Sequence, residues 1–120
     1  MHIGHIELFV TDPAQARQFY EDVLGFEVTA VQGNGQFIWL KLGDTEFLLR
    51  PGQESPFVSA YDQATTGLVF YTNDIDQTAR KLAQRGLTFQ SSDGEDDCLT
   101  FTDPDGHWFQ LVDPEAHNGD

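Results

Sequence analysis

Few side chains in this 120-residue sequence are of the types that carry out covalent chemistry. The single cysteine, Cys98, follows Asp96 and Asp97, whose negative charges disfavour the thiolate. We therefore expect Cys98 to be a quiet thiol that is buried or lines a cavity. The sequence contains no glycine-rich phosphate loop, nucleophile elbow or paired-cysteine metal motif, so it gives no support to covalent catalysis.

The remaining candidates for chemistry are histidines and carboxylates on predicted strands. His5 and Glu7 alternate with apolar residues in a first strand, residues 3–10, so both side chains point away from the apolar face. Imidazole nitrogens and carboxylate oxygens are donors that divalent cations accept. The other histidines, His2, His107 and His117, are expected to be ordinary side chains and not metal ligands, with His107 facing outward or toward the helix layer.

A helix is predicted directly after this strand. Asp12 can cap the first free N–H groups, and Pro13 fits the first helical turn. Apolar residues recur at helical spacing from Ala16 to Leu24, and Gly25 suits the left-handed stop position. The pattern predicts one helix over residues 13–24.

The order of elements occurs twice along the chain. In the first half, three more strands are predicted at 26–31, 36–42 and 46–50. In the second half, a strand at 68–72 and a helix from Asp74 to Gly86 precede strands at 87–90, 97–102 and 107–112. The sequence thus predicts a single domain over residues 1–120, made of two βαβββ modules, 1–51 and 67–114, joined by a linker at 52–66.

The charge of the chain limits its partners. Twenty acidic residues against six basic ones give a net charge of −14, which repels phosphate backbones and anionic lipid headgroups. We therefore expect no nucleic-acid partner and no membrane partner. The lone cysteine favours a reducing cytoplasm. The acidity itself has three open explanations: solubility, adaptation to high salt, or attraction of a cationic ligand.

The paired βαβββ halves, the histidine on the opening strand, the run from Phe19 to Phe26 and the turn Asp103-Pro104-Asp105-Gly106 together resemble the vicinal oxygen chelate superfamily. This superfamily includes glyoxalase I, extradiol dioxygenases, fosfomycin-resistance enzymes and bleomycin-resistance proteins. The resemblance implies an α+β fold in which the two modules form a cup-shaped mixed sheet with the helices on its outer face.

In metal-dependent members of this superfamily, four central strands each supply one His, Glu or Gln to a divalent ion. The resemblance places His5 at the first of these positions and Gln110 at the last, where Glu is usual. It places Leu48 and Leu68 at the other two, Leu68 because it directly follows Gly67, which precedes the second half's first strand as Gly4 precedes that of the first half. Leucine offers a metal no donor atom. We therefore expect no metal cofactor. The residual candidates for a rearranged metal site are His5, Gln110, Glu46 and Glu7.

Strand alternation predicts what would line a cup without a metal. A concave, mostly aromatic wall with few polar groups suits a small planar or cationic organic molecule. The same rings can instead fill the cavity and form a dimer core, and the sequence leaves both alternatives open. The predicted ligand-binding residues are Phe37, Trp39, Phe70, Cys98, Trp108 and Gln110.

Three functional hypotheses follow from the resemblance. The first is a metal-free protein that sequesters a small aromatic or cationic compound, similar to the bleomycin-resistance branch of antibiotic-resistance proteins, as a homodimer with its ligand at the subunit boundary. The second is a metal-dependent glyoxalase-like lyase, isomerase or dioxygenase with a degenerate site. The third is a structural or regulatory partner of another protein. The sequence does not decide whether the modules pair within one chain or exchange across a dimer.

Overall fold

The fold is α+β, as the sequence predicts, and is known from a computed structural model that describes residues 1–54, 56–90 and 98–115. The chain divides into two compact units, Met1–Ser55 and Pro56–Asp120, each with its own sheet. The elements of unit 1 are β1 (Ile6–Val10), α1 (Pro13–Gln18), β2 (Glu27–Gln32), β3 (Phe37–Leu42) and β4 (Thr45–Pro51). Those of unit 2 are β5 (Gly67–Tyr71), α2 (Ile75–Gln84), β6 (Cys98–Thr102) and β7 (Trp108–Val112).

The first helix begins where the sequence predicts and then changes its winding. The Asp12 carboxylate accepts hydrogen bonds from the backbone N–H groups of Ala14 and Gln15, at 3.1 and 3.3 Å, which confirms the predicted N-cap. The α-helix ends at Gln18, however, and a π-helical turn, Phe19–Val23, follows it. The prediction of one continuous α-helix is therefore wrong over its second half.

Packing of aromatic rings explains this turn. Tyr20 is fully buried, and its ring meets that of Phe26 edge-on at 5.4 Å. The Phe26 N–H donates to the carbonyl of Tyr20 at 2.9 Å, and the Leu24 N–H donates to the carbonyl of Phe19 at 3.1 Å. The bond from Leu24 to Phe19 spans five residues, as in a π-helix. The bond from Phe26 to Tyr20 closes the helix end around Gly25, whose φ is +81°.

The sheet of unit 1 has the strand order β1-β4-β3-β2. The edge strand β1 pairs with β4 in parallel, and the other two pairs are antiparallel. Helix α1 packs on β3 and β4. Alternate strand residues form the buried core on that face, so the intervening residues point to the opposite face. The buried set is Leu8, Val10, Ile38, Leu40, Phe47 and Leu49.

The sheet of unit 2 has the order β5-β7-β6, with β5 parallel and β6 antiparallel to β7. The predicted strand at residues 87–90 does not form, because Leu87 turns back to donate its N–H to the Leu82 carbonyl and is itself buried. Among the described residues, this segment has one isolated bridge, from Gln90 to Thr100. In the part of the chain that the structure describes, no helix is long and apolar enough to cross a membrane.

The two faces of this sheet carry different side chains, and one prediction fails here. The ring of Phe70 stacks on that of Phe109, with centroids 5.4 Å apart and planes 17° apart. In the strand register, Phe70 lies beside Leu111, whereas Val69 lies beside Gln110. The prediction that Phe70 shares a face with Gln110 is therefore wrong. Phe70 belongs to a core cluster with Phe109 and the fully buried Phe101.

The same register corrects the predicted counterpart of His5. Pairing Gly4 with Gly67 makes Leu68 that counterpart, but Leu68 lies beside Phe109 on the core face. The helix caps Asp12 and Asp74 occupy equivalent positions in the two halves. Their spacing along the chain equals the spacing of His5 and Gly67. The spacing of Gly4 and Gly67 is one residue longer. A slip of one residue along a strand moves its side chains to the other face, so Gly67 is the structural counterpart of His5.

A tight turn before β7 is held by a buried carboxylate. Asp103 accepts hydrogen bonds from the backbone N–H groups of Asp105 and His107, at 3.0 and 2.8 Å. Its second oxygen lies 2.7 Å from Nδ1 of His107. The ring of His107 is 29% exposed, so it is partly buried against Asp103 and not fully solvated. This hydrogen bond, helped by the charges of Asp103 and Asp105, raises the pKa of His107 despite its burial.

The raised pKa of His107 makes the stability of the fold depend on pH. The added stability is fully present below about pH 6.5, the ordinary pKa of histidine, and is lost as the pH rises through the higher folded-state value. The free energy of unfolding can be measured by urea denaturation for the unchanged protein and for His107→Gln. The unchanged protein should be the more stable of the two, and by a larger margin at pH 6 than at pH 8. A difference that is equal at both pH values, or larger at pH 8, would contradict this account.

Candidate functional site

The face of the unit 1 sheet opposite α1 carries polar and aromatic side chains in rows across the strands. One row joins Glu7 of β1, Leu48 of β4 and Trp39 of β3. A neighbouring row begins with Phe9 of β1 and Arg50 of β4. Because strand alternation sends every second residue to this face, Phe37 lies there too, two positions before Trp39. We call this set, with His5, the unit 1 face.

Arg50 is held at the centre of this face by three side chains. Its Nη1 donates to Oε1 of Glu7 at 3.1 Å. The guanidinium carbon lies 5.2 Å from the ring centroid of Phe9 and 5.4 Å from that of Phe37. Both distances are within the range of cation–π attraction. A planar cation bound to a carboxylate and to two rings has a fixed orientation, so Arg50 is an ordered part of the face.

Glu7 links Arg50 to His5. Its second oxygen, Oε2, lies 2.8 Å from Nε2 of His5. An ionised carboxylate only accepts hydrogen bonds, so the imidazole carries its proton on Nε2 and donates it to Glu7. Hydrogen bonds from His5 and then from Arg50 hold the pKa of Glu7 below its ordinary value. Glu7 is therefore the ionised centre of a three-residue chain.

The chain of contacts continues from His5 to the tryptophan of this face. The imidazole meets the Trp39 ring edge-on, with centroids 4.8 Å apart. The indole N–H of Trp39 donates to Oε1 of Gln32 on β2 at 3.1 Å. Trp39 and Phe37 are both half-buried. Their polar neighbours are thus paired with one another, while part of each ring remains accessible to solvent.

The donor set of this face does not fit a divalent metal ion. Leu48, only 5% exposed, lies between Glu7 and Trp39 and has no donor atom. Nε2 of His5 already donates to Glu7, and Glu7 already binds a cationic guanidinium. Glu46 is exposed and lies beside Lys41 in the β3–β4 register. Among the residues that the structure describes, no three His, Cys, Asp or Glu residues are grouped so that they could hold a metal.

The second tryptophan is covered. Trp108 is 4% exposed, and its indole N–H donates to the carbonyl of Val58 at 3.3 Å. The ring of Tyr61 meets it edge-on, with centroids 6.1 Å apart. Gly67 lies beside Trp108 in the register, and a Cβ at Gly67 would collide with the Tyr61 hydroxyl. Residues predicted as linker therefore fold over the very ring that was predicted to bind ligand.

The structure separates the predicted site residues into groups. Phe37 and Trp39 lie together on the unit 1 face with His5 and Glu7. In unit 2, Gln110 is half-buried on the same face as the covered Trp108, Phe70 lies on the opposite face, and the side chain of Cys98 is outside the described residues. The sequence analysis missed three residues of the site: Phe9, Gln32 and Arg50. Strand parity with Leu48 could have placed Arg50, although nothing in the sequence pairs it with Glu7.

Comparison with known proteins identifies the family. The model of the Glyoxalase/Bleomycin resistance protein/Dioxygenase superfamily matches residues 2–111 of the chain. The chain belongs to this superfamily. The predicted resemblance is thereby confirmed over nearly the whole sequence. Membership does not determine the reaction or the ligand, because one fold serves many functions.

Individual members of the superfamily resemble the chain over almost its full length. The uncharacterized protein YurT of Bacillus subtilis is 31% identical over 126 residues, which cover 93% of this chain and 98% of that protein. TnmS3, an antibiotic binding protein from Streptomyces, is 25% identical with a TM-score of 0.66, covering 94% and 98% of the two chains. The fosfomycin resistance protein FosX from Mesorhizobium loti shares the fold, with a TM-score of 0.74, 16% identity and coverage of 99% and 98%.

The contact between Gly67 and Tyr61 can be tested with Trp108 as a reporter. In a Trp39→Phe background, Trp108 is the only tryptophan. Gly67→Ala should displace Tyr61, increase acrylamide quenching of Trp108, and destabilise the fold by about 1–3 kcal/mol because it overpacks the site. Gly4→Ala is the matched control, since a Cβ there meets nothing within 4 Å. If Gly67→Ala behaves like Gly4→Ala, the described cover over Trp108 is wrong.

Proposed function

We propose that this protein is a metal-free binding protein for a small aromatic or cationic organic compound, and that the unit 1 face is the wall that the compound contacts. One observation carries the proposal: Trp39 and Phe37 lie half-exposed on one strand face, while the Trp39 indole N–H, Nε2 of His5 and both oxygens of Glu7 already have hydrogen-bond partners. Aromatic faces with few unpaired polar groups are typical of small-molecule sites.

The chemistry of the donors supports binding without a metal. A catalytic ion needs convergent oxygen or nitrogen donors with a position left for substrate. The unit 1 face offers a leucine at one of the positions that the resemblance implies and an imidazole committed to Glu7 at another. In unit 2, the counterpart of His5 is Gly67, which has no side chain. Aromatic contact, not metal coordination, is what these residues can provide.

The relatives give the proposal further support. TnmS3 is an antibiotic binding protein, and FosX is a fosfomycin resistance protein. Sequestration of a toxic organic molecule requires only a fitted wall, so it is compatible with a site that lacks catalytic groups. The net charge of −14 favours cationic compounds by raising their local concentration near the protein.

We further propose that the protein acts as a homodimer in the cytoplasm. Val69 and Tyr71 are exposed on β5, an edge strand of the unit 2 sheet, and Tyr71 is 73% exposed. Apolar groups on an edge strand favour association with another chain. The single cysteine suits a reducing compartment. A mass near 13.5 kDa by light scattering would contradict the dimer.

The two tryptophans allow a direct test of the wall. In Trp108→Phe, the half-exposed Trp39 is the sole emitter, and in Trp39→Phe it is the covered Trp108. Titration with ethidium, a planar aromatic cation, or with a cationic glycopeptide of the bleomycin type should quench Trp39 saturably and leave Trp108 nearly unchanged. Absence of a saturable response of Trp39 at millimolar ligand for both probes would contradict the proposal.

A further inference from the structure

The positive charge on the unit 1 face is supplied by a side chain of the protein, the guanidinium of Arg50. Both oxygens of the Glu7 carboxylate are occupied, one by Nη1 of Arg50 and the other by Nε2 of His5. Phe9 and Phe37 lie next to the guanidinium. Nε of Arg50 is buried and has no hydrogen-bond partner among the described residues. The contacts that hold the guanidinium are therefore those with Glu7, Phe9 and Phe37. One fixed positive charge therefore organises a carboxylate and an imidazole on one sheet face.

We infer that the Arg50 guanidinium takes the electrostatic place of a metal ion on the unit 1 face and excludes divalent cations from His5 and Glu7. This inference rests on the proposed metal-free function. An ion at Nε2 of His5 would have to displace the proton that this nitrogen donates to Glu7, and an ion at Nδ1 would still lie close to the Arg50–Glu7 pair. A divalent ion would also bring two positive charges next to the Arg50 guanidinium, which would repel it. The ion and Arg50 would then share Glu7 as their negatively charged partner.

Arg50 is on this account a positioning residue for the ligand wall. It acts through Glu7, which orients His5, whose ring meets the edge of Trp39. A purely structural arginine would stabilise the fold without affecting the affinity of other groups for cations. An excluding arginine has a distinct signature, because its removal takes away a positive charge and leaves one oxygen of Glu7 free to bind a cation beside His5.

Calorimetric titration of the full chain with Ni²⁺ distinguishes these roles. Arg50→Met and Arg50→Gln both remove the charge, and both should bind Ni²⁺ at least about tenfold more tightly than the unchanged chain, because one close charge repulsion is removed. Adding His5→Ala should abolish the gain. Arg50→Lys keeps a cation near Glu7 and should show no gain. Circular dichroism checks that each variant is folded.

Arg17→Met is the matched control for net charge. It also removes an arginine bound to a glutamate in unit 1, Glu21 at 3.1 Å, but away from His5. We expect no gain in Ni²⁺ affinity from it. A similar gain in Arg17→Met, or no gain in either neutral Arg50 variant, would overturn the inference and leave the proposed function intact. Tight Ni²⁺ binding by the unchanged chain that depends on His5 would overturn both.

Discussion

The ion pair between Arg50 and Glu7 is the interaction on which the rest of the unit 1 face depends. Two residues far apart in sequence bring their charges together because β1 and β4 are parallel neighbours in the sheet. Once Glu7 is fixed by Arg50, its other oxygen fixes the tautomer and position of His5. His5 in turn meets the ring of Trp39. A single charge pair thereby sets the shape of an aromatic surface.

The donor groups of this face bear on the metal site that the resemblance implies. Divalent ions require several donors that point to one place. In this chain, one of the positions implied by the resemblance is the nearly buried Leu48, and the structural counterpart of His5 is Gly67. The remaining imidazole and carboxylate satisfy each other and an arginine. The proposed function, contact with an organic compound, uses the aromatic rings that remain accessible on this face.

Much of the fold could be predicted from the sequence because local signals agreed with one another. Asp12 marks the first helix start, and Asp74 likewise caps α2 by accepting the N–H of Gln77. In β3, the predicted ligand-facing positions Phe37 and Trp39 imply by alternation that Ile38 and Leu40 point to the core, where they are buried. Each of these signals depends on neighbours within a few residues, and such signals are the ones that a single sequence carries.

The features that the sequence did not predict depend on register and on distant pairs. Matching Gly4 with Gly67 shifted the second half by one residue, and a one-residue shift was enough to put Leu68 and Phe70 on the wrong face. The π-helical turn depends on packing between Tyr20 and Phe26, and helical periodicity alone does not show it. Arg50 follows an apolar run and has no local signal for its pairing with Glu7, which is 43 residues away.

The metal content of the protein tests the central claim most directly. Elemental analysis should be made on the full chain after purification without chelators and dialysis against metal-free buffer. The account predicts Ni, Zn, Mn and Fe far below one ion per chain, in the unchanged protein and in His5→Ala alike. One retained ion per chain that disappears in His5→Ala would contradict it, because His5 would then be a metal ligand.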